Sequence, residues 1–286
     1  MLLLLLLGGL LASPAAAATV RTSPVKVRDI TVSHYDRIPI YTGEGERLKV
    51  DGRLVESTTY LPLRAFLEAY MPWASLTYNG KTRTAELSSG SLTLSATDGS
   101  HILYANGRCL YSDTPIKILS DGSMYIPIRL LAKTLSLSVY WSERWRSVTL
   151  SGEANPLESG DSFYDAEDLH WLSRIISSEA QSEPFIGQVA VGNVVLNRRA
   201  HDDFPDTVKG VVFDKQDGVY QFSPVKNGSI WYSPYYVSVT AAKVCLEGTT
   251  VSEDILFFYA PSMVYSPWIE GHRVYAFTIA GHKFFF

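Results

Sequence analysis

The 286-residue chain is 46% hydrophobic and 12% aromatic, carries a formal net charge of -4, and has a pI near 5.9. That is enough apolar material for two cores of ordinary domain size rather than one. A mildly acidic chain without a basic block does not gather nucleic acid or an anionic membrane surface by bulk electrostatics, so neither is expected as a partner. Its two cysteines, Cys109 and Cys245, fall far apart and in different expected domains. Neither has metal-ligand spacing around it, so each reads as a small buried apolar residue, and a disulfide framework is excluded.

Met1 is followed by six leucines, two glycines and a small-residue run ending Ala16-Ala17-Ala18. This fits the apolar region and cleavage site of a secretory signal over residues 1–18, although the usual positive start is missing, as in a truncated or misassigned N-terminus. The expected location is secreted or cell wall-associated. No later apolar stretch is long enough to cross a bilayer, so no transmembrane segment is expected after signal cleavage. Residues 19 to about 45 read as a lead-in, with alternation at Val25-Lys-Val27-Arg28 and Ile38-Pro-Ile40-Tyr41 suggesting strands.

An internal repeat follows, because Tyr60-Leu-Pro-Leu-Arg64-Ala-Phe-Leu67 and Tyr125-Ile-Pro-Ile-Arg129-Leu-Leu-Ala132 are one unit written twice. Upstream, Asp51-Gly-Arg-Leu-Val55 answers Asn106-Gly-Arg-Cys-Leu110. Downstream, Ala74–Tyr78 and Thr84–Ser88 answer Leu137–Trp141 and Ser147–Ser151. Each unit is expected to form a hairpin at the Asp-Gly or Asn-Gly turn, a strand ending at the proline, a short helix and a second hairpin. The pattern over residues 28–152 resembles the copper amine oxidase N-terminal repeat domain, an accessory module of exported Gram-positive proteins. The resemblance implies a wall-binding or protein-binding role, and the isolated His34 and His101 give no copper cluster. Tyr78, Trp141 and Trp145 are candidates for stacking on sugar rings, against the alternative that strand aromatics belong to the core.

Residues 153–164 combine Gly, Pro, Ser and acids without periodicity and read as a linker. The second domain, 165–286, opens with Asp165, which can cap a helix running through Glu179 and stopping before Pro184. Leu169, Leu172, Ile175, Ile176 and Ala180 share one side of that helix, and Glu179 lies between Leu172 and Ile175 in the arc. A carboxyl on the core side loses hydration, which raises its pKa and suits it to general acid work. Helix geometry alone leaves a plainer reading open, in which Glu179 sits at the edge of the face and reaches solvent.

Pro184 suits the first turn of a second helix, whose apolar surface is interrupted by Gln188, Asn193 and Asn197. Those amides either make internal hydrogen bonds or line a polar cleft. Beyond Phe204-Pro205 comes an aromatic, turn-rich region containing Gln221-Phe-Ser-Pro224 and Asn227-Gly228. A helix from about Tyr235 to Leu246 ends at Gly248, and Leu256–Tyr259 and Val274–Ile279 read as extended segments.

Residues 169–285 resemble the SleB/CwlJ-type cell wall hydrolases, a family first known from spore cortex lysis. The resemblance rests on Ser178-Glu179-Ala180, Glu183-Pro184, Gly187–Gly192, Leu196-Asn-Arg198, Phe204-Pro205, Gln221–Pro224, Asn227-Gly228, Phe258-Tyr259, and the closing Ile279, His282 and Phe284. It implies a two-domain protein whose C-terminal domain is α+β, mostly helical and lysozyme/lytic transglycosylase-like, behind an N-terminal α+β domain of two β-hairpin/short-helix repeats. It further implies cleavage of peptidoglycan glycan strands between N-acetylmuramic acid and N-acetylglucosamine, with Glu179 as the single catalytic acid and spore cortex or the spore envelope as one setting. Glu183 is a second candidate carboxylate, although a helix-start acid can serve only as a dipole partner. Gln221, Ser223, Asn227 and Tyr259 are candidates for holding sugar hydroxyls and acetamides. No metal or other cofactor is called for. Two departures stand out: Ser182 where the family has glycine, and Ala280-Gly281 where it has glycine and then another residue.

Two competing readings remain. His170, His272 and His282 would have to converge for a metal-dependent peptidoglycan amidase, and they lack ligand spacing. A non-catalytic wall-binding scaffold would account for the aromatics but not for an acid on an apolar face.

Overall fold

The structure, a computed structural model, describes residues 37–286. The expected signal, the Val25–Arg28 segment and His34 lie outside the described residues.

The first repeat comprises β1 (Arg37–Thr42), β2 (Arg47–Val55), β3 (Thr58–Pro62), α1 (Leu63–Tyr70), β4 (Ser75–Asn79) and β5 (Thr84–Ser89). The second comprises β6 (Leu92–Thr97), β7 (Ile102–Ala105), β8 (Arg108–Tyr111), β9 (Lys117–Ile118), β10 (Met124–Pro127), α2 (Ile128–Lys133), β11 (Ser138–Ser142) and β12 (Ser147–Ser151). Pro62 and Pro127 end their strands and begin α1 and α2 without a side-chain cap, as a residue lacking an N–H can. The repeats meet at β3 and β10, which pair antiparallel with Tyr60 opposite Pro127, Leu61 opposite Ile126 and Pro62 opposite Tyr125. Exchanging the repeats maps this pairing onto itself, so a local two-fold axis passes between Leu61 and Ile126. A seven-stranded sheet, β11-β12-β1-β2-β3-β10-β9, and a five-stranded meander, β4 to β8, enclose the core with α1 and α2.

One expected turn is absent. Asn106-Gly107 does turn β7 into β8, with both residues at positive φ, but Asp51-Gly52 lies inside β2, and the hairpin turn falls at Glu56-Ser57 instead. Gly52 has a packing cause: a Cβ on residue 52 would stand 2.9 Å from Thr59 Cγ2 and 3.1 Å from the Tyr60 carbonyl. Gly52 is there for close approach of strands, not for a turn.

After the short α3 (Gly160–Phe163), the second domain contains α4 (Ala166–Ala180), α5 (Phe185–Ala200), α6 (Val208–Val212), β13 (Lys215–Gln216), β14 (Val219–Tyr220), α7 (Ser223–Asn227), α8 (Tyr236–Leu246), β15 (Phe257–Tyr259), α9 (Pro267–His272), β16 (Tyr275–Ile279) and β17 (His282–Phe285). Asp165 caps α4 by accepting from the Asp168 N–H at 2.9 Å. Helices α4, α5 and α8 form the core with Phe284. The amides of α5 are structural: Asn193 bonds the Thr249 carbonyl and the Val251 N–H, Asn197 bonds the Ser252 and Ile255 carbonyls, and Gln188 accepts from Ser238.

The expected linker, 153–164, is bonded to the second repeat. Its Leu157 carbonyl accepts from Asn106, its Gly160 N–H donates to the Asn106 carbonyl at 2.7 Å, and Gly160 begins α3. The cysteines do not sit in separate cores. Cys109, on β8, joins Cys245 in the core of the second domain, with Ile102, Tyr104 and Tyr111 packed beside it.

The β7–β8 hairpin is therefore shared between the domains, and a buried charge fixes it. Arg108 donates to both carboxylate oxygens of Glu247, at 2.7 and 2.8 Å, and its guanidinium lies over Phe163. Lys133 of α2 and the Tyr164 hydroxyl complete the set on a Glu247 side chain only 1% exposed. Burial opposes ionisation of Glu247, but the bonds from Arg108, Lys133 and Tyr164 outweigh it and hold the carboxyl below its ordinary range.

Candidate active site

Glu179 occupies the last turn of α4, between Leu172 and Ile175 on the helix arc, and both of those leucine and isoleucine side chains are fully buried. Its own side chain is half-buried and forms no hydrogen bond or ion pair among the described residues. Burial without a partner pushes its carboxyl up to about 7. The acid thus stands poised between its two protonation states near neutral pH, without a cation to hold it ionised.

Glu183 has a different environment. Its carboxylate accepts from the Gly281 N–H at 3.0 Å and faces His282 Nδ1 at 3.4 Å. Two glycines make the space: a Cβ on residue 281 would fall 2.6 Å from Glu183 Oε1, and one on residue 187 would fall 3.2 Å from Glu183 Cβ. Glu183 therefore ties the start of α5 to the β16–β17 turn. In that turn Ala280 sits at φ +43°, a conformation that favours glycine. Ser182 is exposed and adopts no such conformation.

The four candidate binding residues divide into two places. Gln221 follows the β13–β14 hairpin, with its N–H bonded to the Asp214 carbonyl, and Ser223 is the exposed first residue of α7. Asn227 accepts from the Ser229 N–H, and Gly228 ends α7 in the left-handed region. From there the chain is stapled along α4: Ser178 donates to the Ser229 carbonyl, Arg174 to the Tyr232 carbonyl at 2.7 Å, and Tyr235 N–H to Ser177. Ser178, the residue before Glu179, thus ties α4 to Ser229, whose N–H donates to Asn227. Arg174 and Ser177 were not among the residues expected to matter, and their only signal in the sequence is polarity on the flank of an apolar helix.

Tyr259 lies elsewhere. Its hydroxyl donates to Glu270, which also receives Lys283, and its ring stacks on Phe285. Strand alternation turns Phe258 the other way, against His282 at 5.4 Å and Phe222 at 6.3 Å. Phe258 is the β15 residue facing the Glu183–His282 side. The histidines of the amidase reading do not converge: His170 packs on Trp171, His272 bonds the Trp268 carbonyl, and His282 faces Glu183. Among the described residues no three His, Cys, Asp or Glu side chains gather as a metal-binding group.

Residues 182–286 match the family described as Cell Wall Hydrolase, and residues 42–150 match the Copper amine oxidase N-terminal domain. Glu179 lies just ahead of the first match. Among curated proteins, the spore cortex-lytic enzyme of Bacillus subtilis (strain 168) is 33% identical over 108 residues, 38% of this chain and 34% of that protein. The spore cortex-lytic enzyme of Oceanobacillus iheyensis is 35% identical over 106 residues, 37% of each. The chain thus spans about a third of the length of the curated relatives it matches. Among solved structures, the catalytic domain of the germination-specific lytic transglycosylase SleB from Bacillus anthracis is 29% identical, with a TM-score of 0.39, covering 46% of this chain and all of that one. The two matches fall on separate stretches, residues 42–150 and 182–286, and each covers less than half of the chain.

Proposed function

We propose that the chain is an exported peptidoglycan-cleaving enzyme of lytic transglycosylase type, cutting between N-acetylmuramic acid and N-acetylglucosamine with Glu179 as its one catalytic carboxyl. The observation that carries this reading is the half-buried, unpartnered Glu179 at the end of α4, raised to about 7 by burial. We assign catalysis to residues 165–286, with a lysozyme-like fold, and wall attachment to residues 28–152. The curated relatives are named for spore cortex lysis, and cortex glycan is the first substrate to test.

In the reaction, protonated Glu179 gives its proton to the glycosidic oxygen as the bond to muramic acid C1 breaks and its electron pair leaves with that oxygen. The C1 centre passes through an oxocarbenium-like state. The muramic 6-oxygen then closes on C1, and the carboxylate of Glu179 takes back the hydroxyl proton. The product is a 1,6-anhydro ring, no water enters the products, and the acid is regenerated. A second carboxylate is unnecessary on this route, which agrees with Glu183 being engaged by Gly281 and His282. We assign the orientation of the sugars to Gln221, Ser223 and Asn227, and to Tyr259 a supporting part through Glu270.

Mass analysis of the products tests this directly. Anhydro-muramyl ends are expected, and reducing muramic ends would replace ring closure by hydrolysis. Glu179→Gln should abolish cleavage with the fold retained; unchanged cleavage would refute the role given to Glu179.

A further inference from the structure

Two of the clefts of the accessory domain, of about 460 and 590 Å³, form a pair. They are built from the same positions of the two repeats. The first is lined by Pro62, Leu63 and Arg64 at the strand–helix junction, then Leu76, Tyr78 and Ala85 from the following hairpin. The second is lined by the counterparts of all six, Pro127, Ile128 and Arg129, then Val139, Trp141 and Val148. Each cleft is closed by the other repeat, the first by Gly122–Met124 and the second by the equivalent Ser57–Thr59. The two-fold axis that relates β3 to β10 therefore relates the clefts.

Repeating a fold repeats its hollows, so shape alone says nothing about a ligand. The side chains say more. An aromatic ring stands at the same place in both, Tyr78 at 53% and Trp141 at 37% exposure, where a strand aromatic would otherwise be packed. Arg64 and Arg129 are exposed beside them and stand outside every ion pair formed among the described residues. Carboxylates complete the sets, Glu68 in the first cleft and Asp113 and Glu143 in the second. A flat ring for the C–H face of a sugar, a guanidinium fork for carbonyl or carboxylate oxygens, and a carboxylate that accepts from hydroxyls form a saccharide-binding set.

We propose that the two clefts are equivalent binding sites for the N-acetylated amino sugars of a wall glycan strand, so that one chain grips the wall at two points. The choice of glycan as occupant rests on the glycan-cleaving function proposed above, to which this domain is joined through the buried Arg108–Glu247 pair.

Calorimetric titration of the full chain carrying Glu179→Gln with a peptide-free GlcNAc–MurNAc tetrasaccharide tests the proposal. Stoichiometry should fall by one on Tyr78→Ala, by one on Trp141→Ala and by two in the double variant, the remainder belonging to the catalytic domain. Exchanging the rings, Tyr78→Trp with Trp141→Tyr, should keep both equivalents. Retention on peptide-free sacculi should weaken at least ~10-fold in either single variant, because losing one of two linked sites removes avidity. Unchanged stoichiometry in the double variant, with an unchanged unfolding temperature, would overturn the proposal. Cleavage of the tetrasaccharide by the same variants with Glu179 restored separates the two readings. Intact cleavage with lost binding supports both, whereas lost binding in a chain whose Glu179→Gln variant still cleaves leaves the clefts standing and removes the catalytic assignment.

Discussion

At the scale of single residues, the cost of Glu179 is measurable. Its folded-state carboxyl is raised from 4.5 to about 7, so its contribution to stability is fully present below pH 4.5 and is lost as pH rises through 7. Glu179→Gln should therefore be more stable than the parent at pH 8, by on the order of 2–3 kcal/mol, and equal to it near pH 4, as read by denaturant unfolding. The same ionisation should make cleavage fall as pH rises above 7, since the acid form donates the first proton. Glu183 invites a different test. Glu183→Gln keeps an acceptor for the Gly281 N–H and should retain cleavage, whereas Glu183→Ala should lose about 1 kcal/mol of stability. A 100-fold loss of cleavage in Glu183→Gln would make it a second catalytic acid. The position of Glu179 on the helix arc was legible because α4 obeys its apolar period closely. The partners of Glu183 and Tyr259 were not, because Gly281 comes from a distant turn and Glu270 from α9, which no local period reports.

At the scale of elements, punctuation residues carried most of the legibility. Asp165, Pro184 and Gly248 mark the ends of α4, α5 and α8 as their chemistry requires, and Pro62 and Pro127 close β3 and β10. Gly52 misled because glycine serves two purposes, positive φ and close approach, and sequence does not say which. The β16–β17 turn offers the converse case. Ala280 adopts φ +43°, where an L-residue is strained, while the neighbouring glycine is reserved for Glu183. Ala280→Gly should therefore raise stability by about 1 kcal/mol in equilibrium unfolding. A fall would mean that backbone entropy gained by the unfolded chain outweighs the strain.

At the scale of the molecule, two cores share one hairpin. Periodicity and repeats made both cores readable, but the composition that marks residues 153–164 as a linker does not report how that linker packs, because loop-like residues also build tight, bonded connections. Removing one partner of a buried pair leaves an uncompensated charge, so Glu247→Ala should destabilise the full chain by about 3–5 kcal/mol. The loss should appear in a single unfolding transition covering both domains. The depressed carboxyl of Glu247 contributes stability above its ordinary range, which is lost as pH falls through its folded value, so the Glu247→Ala penalty should shrink in acid. The joint also bears on ancestry. A unit that passes between genes by recombination must survive the loss of its neighbours. Cutting this chain between the domains would strand Glu247 without Arg108 and Lys133, and open the second core where Cys109 and Tyr104 had been. The β7–β8 hairpin and α8 can be inherited only together, so a shuffled descendant must either carry the hairpin along or replace the glutamate first.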